Sequence, residues 1–585
     1  MMWIEKDRIK PIVVTQAWVS KDLQRLPTKF QSSKVILKYL KLYCQYSSLY
    51  SLKYLVDSQR SWFERAMWII IHLIIMSSVI YMVYATCKEY VTSPILTSMD
   101  SDSYPTVDLD FPGIAICSIN RISRQSAIEM ATDIFNAKVT DLPVDEILTL
   151  VSQLGNHYVS DFRTKDRNAE IDELLTTYYK EDYDITQIMK TLSPQCSQIL
   201  LKCKLHGTYR NCSQLFDFRK TQNGFCCTFN YMREKDDILE NTEAVIDPSL
   251  YMHKVDDLGI ERGLTVVMDP LLDDYFYPIL PTIGWKVIVF NPQDYPDVAS
   301  GGVTEVFAIP SSETYIDVTP ASFFSTKDIE KFSFSKRKCV FPNEMRTRYS
   351  DTSYTYSDCI VDCRLHDMQS LCGCRPFYFP RRGIKDYSVR VCTNADLKCL
   401  TKYKTKWWTV FPHDSKEKIG ENVTWALSCH NCYPACEDIS YDVMSTKSYM
   451  SPGTYRTNLL WNVNITNQAV LHIFFSKYGS IRLKQDVSSY WYEFMSNIGG
   501  ICGVFIGFSL ISVVEFLYFI ALILRDLLRE DSSILDDDHD DHDDHKDKIQ
   551  SVPCENIQTI YWSELMPRSW QAVKYGQFPK NRARY

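Results

Sequence analysis

The stretch Ser496-Asn-Ile-Gly-Gly-Ile-Cys-Gly-Val-Phe-Ile-Gly-Phe-Ser-Leu-Ile-Ser-Val-Val-Glu515 decides how the rest of the chain is read. No charged side chain falls between Glu493 and Glu515, which leaves 21 residues able to sit in hydrocarbon. At 1.5 Å per residue that suffices for a bilayer core of roughly 30 Å. A plain anchor would be Leu, Ile and Val throughout. Here Gly499, Gly503 and Gly507 fall four apart, with Gly500 beside them. Helical spacing stacks the first three on one stripe, where small side chains let a second helix approach closely, in a pore or in a dimerising anchor. Ser496, Asn497, Ser509, Ser512 and Glu515 add polar groups in or beside the span. A carboxylate at membrane depth is costly unless it meets water or a partner, so Glu515 faces a bundle interior or sits at the cytoplasmic headgroup level. In Gly507-Phe508-Ser509 the glycine can leave helical geometry and free a carbonyl, and the serine adds a hydroxyl. Such oxygens can replace water around a small cation, as selectivity filters do.

A second apolar run lies upstream. Ala66 to Cys87 holds 22 residues without Asp, Glu, Lys or Arg. It is too long and too far from the start to be a signal peptide. Residues 1–65 carry twelve Lys and Arg against five Asp and Glu, which places the N-terminus inside the cell. That arm reads as a partly disordered tail or as one with a short amphipathic part near 34–44. Two spans return the C-terminus inside. The expected organisation is a cytoplasmic arm over 1–65, a first transmembrane helix over 66–87, an extracellular domain over 88–490, a second, pore-lining segment over 491–524 and a cytoplasmic tail over 525–585. His72, in the first span, reads as a packed neutral imidazole or a gating group. In the tail, Leu535 to Asp547 reads as a solvated, low-complexity stretch or a divalent-metal ligand set; no metal or cofactor is expected.

Sixteen of the 20 cysteines lie between Cys117 and Cys436, in the segment assigned outside. Such clustering implies an oxidising compartment and a disulfide framework. Cys359-x3-Cys363 and Cys429-x2-Cys432 also have zinc-like spacing. The flanking spans, and the sequons at Asn211, Asn422 and Asn464, favour disulfides in a surface glycoprotein. A net charge of −8 over 585 residues argues against nucleic acid as a partner. Residues 122–156 carry apolar residues at helical spacing, and Pro143 is placed to start one helix with Ile147, Leu148, Val151 and Leu154 on one face. Phe111 to Cys117, Gly263 to Met268, Trp285 to Phe290 and Tyr315 to Val318 read as strands. The fold class expected is a membrane protein with two transmembrane helices and a large disulfide-rich α+β ectodomain. Tyr441 and Trp491 are aromatics of the kind found at headgroup level or at a domain–membrane joint.

Taken together these motifs resemble the degenerin/epithelial sodium channel family. The 496–515 run is similar to that family's second transmembrane segment, with Gly507-Phe508-Ser509 at its Gly-x-Ser filter. Phe111-Pro112-Gly-Ile-Ala-Ile-Cys117 is similar to Phe-Pro-x-x-x-x-Cys outside the first span. Gly224-Phe-Cys-Cys-Thr-Phe-Asn230 resembles Gly-x-Cys-Tyr-Thr-Phe-Asn, with Cys227 where tyrosine is usual. The likeness is strongest to the insect pickpocket branch. There, Ser47 to Leu55 aligns with a segment that normally contains His-Gly, and this chain has Tyr50-Ser51 instead. Asn497 likewise stands where aspartate is usual. The resemblance implies disulfides Cys117–Cys226, Cys203–Cys212, Cys339–Cys436, Cys359–Cys432, Cys363–Cys429, Cys372–Cys399 and Cys374–Cys392. Cys196 and Cys227 are then left over and are expected to bond each other. Several bridges between two antiparallel segments make a stiff rod, able to carry motion to the pore or simply to stabilise a stalk.

The resemblance implies a sodium-preferring, amiloride-sensitive, voltage-independent cation channel in the plasma membrane, trimeric, with sodium as the permeant ligand. Gly507, Phe508 and Ser509 would form the filter, Ser496, Asn497, Tyr50 and Ser51 would act in gating, and Ser512 and Glu515 would line the inner mouth. The two departures from the family pattern suggest a subunit that works in a heterotrimer with relatives, although a homotrimer remains open. Membrane lipid is the other expected partner, and the extracellular or mechanical stimulus is not readable. A two-span receptor or adhesion protein would account for the cysteines and sequons but not for the polar, glycine-rich second span. An ATP-gated trimeric channel would need clustered basic residues outside, without an equally specific match here. No nucleophile elbow, phosphate loop or metalloprotease pattern supports an enzyme.

Overall fold

The computed structural model describes residues 29–47, 49, 52–57, 59–158, 167–180, 183–233, 252–344, 354–380, 389–411, 426–455, 457, 459–460 and 463–528. Tyr50, Ser51, Asn422 and the 535–547 stretch lie outside them. Helix α1 (Lys29–Tyr46) is longer than the amphipathic 34–44 stretch expected. Helix α2 (Trp62–Thr92) runs for 31 residues, past both ends of the apolar 66–87 run, because nothing in its flanks breaks a helix. Strand β1 (Ile95–Pro105) follows at once, then β2 (Gly113–Ser118).

Four helices come next: α3 (Arg124–Asn136), α4 (Val144–Ser152), α5 (Asn168–Tyr179) and α6 (Ile185–Leu192). Their starts are written locally. The Ser123 hydroxyl accepts from Ser126 N, Pro143 precedes α4, and the Asp184 carboxylate accepts from Thr186 N. Ile147 and Val151 are buried on α4, whereas Leu154 is buried from the 3₁₀ turn that follows. Strands β3 (Leu200–Leu205) and β4 (Thr208–Arg210) form a hairpin across His206-Gly207, both with positive φ.

The chain continues through β5 (Asp217–Thr221), β6 (Gly224–Phe229), β7 (Leu264–Met268), β8 (Trp285–Phe290), β9 (Thr304–Ala308) and β10 (Ser312–Ser325). Helix α7 (Tyr356–Cys372) is capped by the Thr355 hydroxyl and stops at Gly373, whose φ is +67°. After α8 (Leu397–Trp408) come β11 (Glu437–Tyr449), β12 (Ala469–Phe475) and β13 (Gly479–Val487), and then helices α9 (Trp491–Ile506) and α10 (Leu510–Leu528).

By compactness the chain divides into two units, residues 76–502 and residues 1–75 with 503–585. The first holds two sheets. One has eight strands in the order β1-β13-β10-β12-β7-β3-β4, with β11 also paired to β10. The other has five, in the order β5-β6-β2-β8-β9. Strand β10 pairs in parallel with β12 through Glu313–Val318 and with β13 through Ala321–Ser325, while β11 runs antiparallel along its whole length. Ile114, Ile116, Trp285, Val287 and Val289 from the small sheet share one core with Val266, Leu471, Ile473 and Phe475 from the large one. That shared burial of β-branched and aromatic residues explains why their strands read clearly in the sequence. Tyr441 belongs to this core: it is 5% exposed and its hydroxyl donates to Asp110 O over 2.9 Å, so it is not a membrane-interface aromatic. Helices α3 to α6 enclose a second core, and α7 packs on α8 through Val361, Leu365, Met368 and Trp407. The ectodomain class expected from the sequence, α+β and rich in disulfides, is what this unit is. In the other unit, Tyr43 of α1 meets Phe516 and Phe519 of α10 edge-on, at 6.1 and 5.3 Å between ring centres.

Candidate ion pathway

Over its most apolar stretch helix α2 is almost wholly unburied. Leu73, Ile74 and Ile80 are each more than three-fifths exposed. So much open apolar surface on one helix calls for lipid or a partner rather than water. By length and composition this is one helix able to cross a membrane among the described residues. Helices α9 and α10, taken together as one bent segment, are also long and apolar enough to make a span.

The pair is bent by 78° at residues 507–509. Gly507 takes φ +74°, a left-handed conformation that side chains with a Cβ resist. Its N–H still donates to Gly503 O over 3.0 Å, which closes the last turn of α9. The end of α9 therefore leaves last-turn carbonyl oxygens at the break, and the negative end of a helix dipole suits a cation. Ser509 starts α10. Its Oγ accepts from Ser512 N at 3.4 Å, while Ser512 Oγ accepts from Ser509 N at 3.1 Å. This is a reciprocal capping box with serine in place of the usual glutamate. Ser512 is fully buried. The Ser-x-x-Ser spacing just after the glycine is the local signal for this pair.

The remaining residues of the expected site are distributed along the two helices. Ser496 and Asn497 are exposed on α9, and Glu515 is half-buried on α10. Beyond its own helix, a Cβ built on Gly499 would meet nothing within 4 Å and one on Gly503 only Phe508 O at 3.8 Å, so that stripe is open. Tyr50 and Ser51 lie outside the described residues.

Helices α2 and α9 both connect to one strand pair. Strand β1 leaves α2 and β13 leads into α9, and the two run antiparallel from Ile95 opposite Val487 to Pro105 opposite Gly479. Ser488 N donates to Pro94 O over 2.8 Å, and Tyr90 stacks on Phe494 with ring centres 4.4 Å apart. The Tyr490 hydroxyl lies 3.1 Å from Asp328 and 3.4 Å from Asp486, both acceptors, and these carboxylates push its pKa up to about 12. The disulfide Cys339–Cys436 packs with Ile329 and Phe341 against Ile95 and Val487. Sequence reading had no signal for this joint, because its residues come from four separated segments.

Eight disulfides join Cys117 to Cys226, Cys196 to Cys227, Cys203 to Cys212, Cys339 to Cys436, Cys359 to Cys432, Cys363 to Cys429, Cys372 to Cys399 and Cys374 to Cys392. These are the partners named from the sequence. Among the described residues Cys374, Cys392 and Asp396 come close enough to hold a metal, but both sulfurs are in one disulfide and Asp396 is held by Arg390 at 2.5 and 2.7 Å. Asn211 and Asn464 are exposed.

Comparison with known proteins agrees with this architecture. The family model described as "Amiloride-sensitive sodium channel" matches residues 43–519. The sodium channel protein Nach of Drosophila melanogaster is 26% identical over 492 residues, covering 83% of this chain and 87% of its own. Pickpocket protein 28 of the same fly is 25% identical over 514 residues, covering 82% and 77%. The bile acid-sensitive ion channel of Mus musculus is 22% identical over 479 residues, covering 77% and 81%.

Proposed function

Because this chain belongs to the amiloride-sensitive sodium channel family, whose members are ion channels and not enzymes, we propose that it is one subunit of a trimeric, sodium-preferring, amiloride-sensitive and voltage-independent cation channel. Both termini are cytoplasmic, and α2 with the bent α9–α10 pair makes two spans per subunit. Three copies of the bent segment surround the pore, and Gly507, Phe508 and Ser509 form its narrowest part. The observation that carries this reading is the 78° break at a glycine with φ +74° inside an otherwise apolar span. An anchor has no use for such a break, whereas a pore needs backbone oxygens turned toward the ion. With the Ser509 hydroxyl engaged by Ser512, backbone carbonyls supply most of the coordination. Opening follows an extracellular or mechanical stimulus that acts on the ectodomain and reaches the pore through the β1–β13 pair. Ser496 and Asn497 act at the gate, and Ser512 and Glu515 at the inner mouth.

The subunit works beside a relative rather than alone. Tyr50-Ser51 in place of His-Gly, and Asn497 in place of aspartate, support this. Voltage clamp of cells expressing the chain alone, and together with related subunits, tests both parts. The expected result is an amiloride-blocked current, carried by sodium in preference to potassium, only in the co-expressing cells. A robust current from the chain alone would remove the heteromer reading. No added or altered current with any relative, at verified surface level, would remove the channel reading.

A further inference from the structure

Beside the β3–β4 hairpin lies an open groove of about 740 Å³, within the roughly 300–1,000 Å³ of small-molecule sites. Leu200 and Phe216 line it while almost fully buried, whereas Leu201 and Tyr209 line it with 42% and 49% of their surface exposed. Gln195 and Ser197 add an amide and a hydroxyl, and no carboxylate among the described residues lines it. Strand β4 ends the large sheet, so its outer edge has no neighbouring strand there. A free edge offers backbone N–H and C=O groups to whatever covers it. An aromatic and aliphatic surface beside such an edge fits a sugar, whose C–H faces pack on apolar rings and whose hydroxyl and acetamido groups take hydrogen bonds.

The attachment point for that sugar is on the rim. Asn211 also lines the groove, is exposed, and begins the sequon Asn211-Cys212-Ser213. Its Oδ1 accepts from Ser213 N at 3.1 Å and from Ser213 Oγ at 3.0 Å. Oδ1 thus takes the local bonds, and Nδ2, the atom that carries an N-linked sugar, is not used by them. Cys212 is bonded to Cys203 of β3, which pins the root of the glycan to the strand that forms the groove. A ligand tethered at the rim acts at an effective concentration of about millimolar order, so weak contacts with the groove suffice to hold it and a free molecule competes poorly.

We propose that Asn211 carries an N-linked glycan whose first N-acetylglucosamine residues pack in this groove against Tyr209 and Leu201 and cover the free edge of β4. In the transfer, C1 of the first sugar leaves a lipid-linked diphosphate donor and bonds to Nδ2, which gives up one proton. The inference rests on the reading that residues 88–490 are extracellular. Glycopeptide mass spectrometry of the full chain from a eukaryotic host should find sugar on both Asn211 and Asn464. Sugar on Asn464 alone would overturn the inference and leave the topology standing; sugar on neither would remove the topology with it. On the native glycoprotein, an amidase that cuts the Asn–sugar bond should release the Asn211 glycan at least about tenfold more slowly than that of the exposed Asn464. Tyr209→Ala should speed release at Asn211 and leave Asn464 unchanged. Equal rates at the two sites, or no effect of Tyr209→Ala, would overturn docking in the groove. Asn211→Gln should also lower the melting temperature by about 1–3 °C in the wild-type background and by much less in Tyr209→Ala, because the two changes remove the same contact. An equal drop in both backgrounds would show a glycan acting without the groove. If Asn211→Gln fails to fold, the release rates decide.

Discussion

Gly507 takes φ +74°, and a Cβ built on it would meet nothing within 4 Å in this chain. An alanine there therefore meets only a backbone penalty, about 1–2 kcal/mol against the left-handed conformation. Gly507→Ala should draw the break back toward a straight helix and change unit conductance or the sodium-to-potassium permeability ratio in a working assembly. Both values unchanged, at equal surface level, would leave the glycine without a part in conduction. Asp294 offers a second test at this scale, outside the membrane. Burial first, then Asp438 and Asp358, push its carboxyl up to about 8, against the pull of Thr355 and Arg233. An unfolded aspartate titrates near 4 (about 3.9). The folded protein thus holds an extra proton between those values. The resulting stabilisation is complete below the lower value and is lost as pH rises through the upper one. The melting temperature of Asp294→Asn, relative to wild type, should climb between pH 5 and pH 8; a constant difference would show that this carboxyl titrates normally.

Among the elements, α7 is tethered to the 429–432 segment by two rungs, Cys359–Cys432 and Cys363–Cys429, which close loops of 73 and 66 residues. A disulfide across a long loop is worth about 2–4 kcal/mol by restricting the unfolded chain. Once one rung is made, the other closes only a short additional loop. Replacing Cys363 and Cys429 by serine should therefore cost little, and so should replacing Cys359 and Cys432. Removing both rungs should cost about 2–4 kcal/mol more than either alone, read by denaturant unfolding of the ectodomain signal. Additive losses would show instead that each rung acts through its own native packing with Ile360 and Leu427. Helices α9 and α10 illustrate the same dependence on local chemistry. Ser509 and Ser512 cap each other, so the second helix restarts immediately after the glycine that ends the first.

For the molecule as a whole, the consequential feature is that α2 and α9 both leave one antiparallel pair, β1 with β13, closed by the Ser488–Pro94 bond and the Tyr90–Phe494 stack. Strand β13 also pairs with β10, which spans the large sheet's longest ladder. Motion in that sheet can therefore reach the start of α9 without passing through a flexible loop. Ser496 lies just past this start and is exposed, where other subunits of an assembly would crowd it. Ser496→Val, placed in a working assembly, should raise the resting current at matched surface level. An unaltered resting current would detach this position from the gate.

The amino-acid sequence determined the features that local chemistry and spacing encode. These are the two apolar runs, the glycine in the second, the β-branched strands buried on both faces, and the cysteine clusters with the family likeness they carry. Each depends on neighbours a few residues away or on a pattern that burial repeats. Tertiary structure alone decided which polar groups meet. Tyr441 turns into the core toward Asp110, Arg364 is buried against Asp297, and the charges of Asp438 and Asp358 act on the Asp294 carboxyl. Those outcomes depend on segments tens to hundreds of residues apart being folded against each other, and the energy of a buried charge or hydroxyl depends on what surrounds it in space, which no periodicity along the chain records.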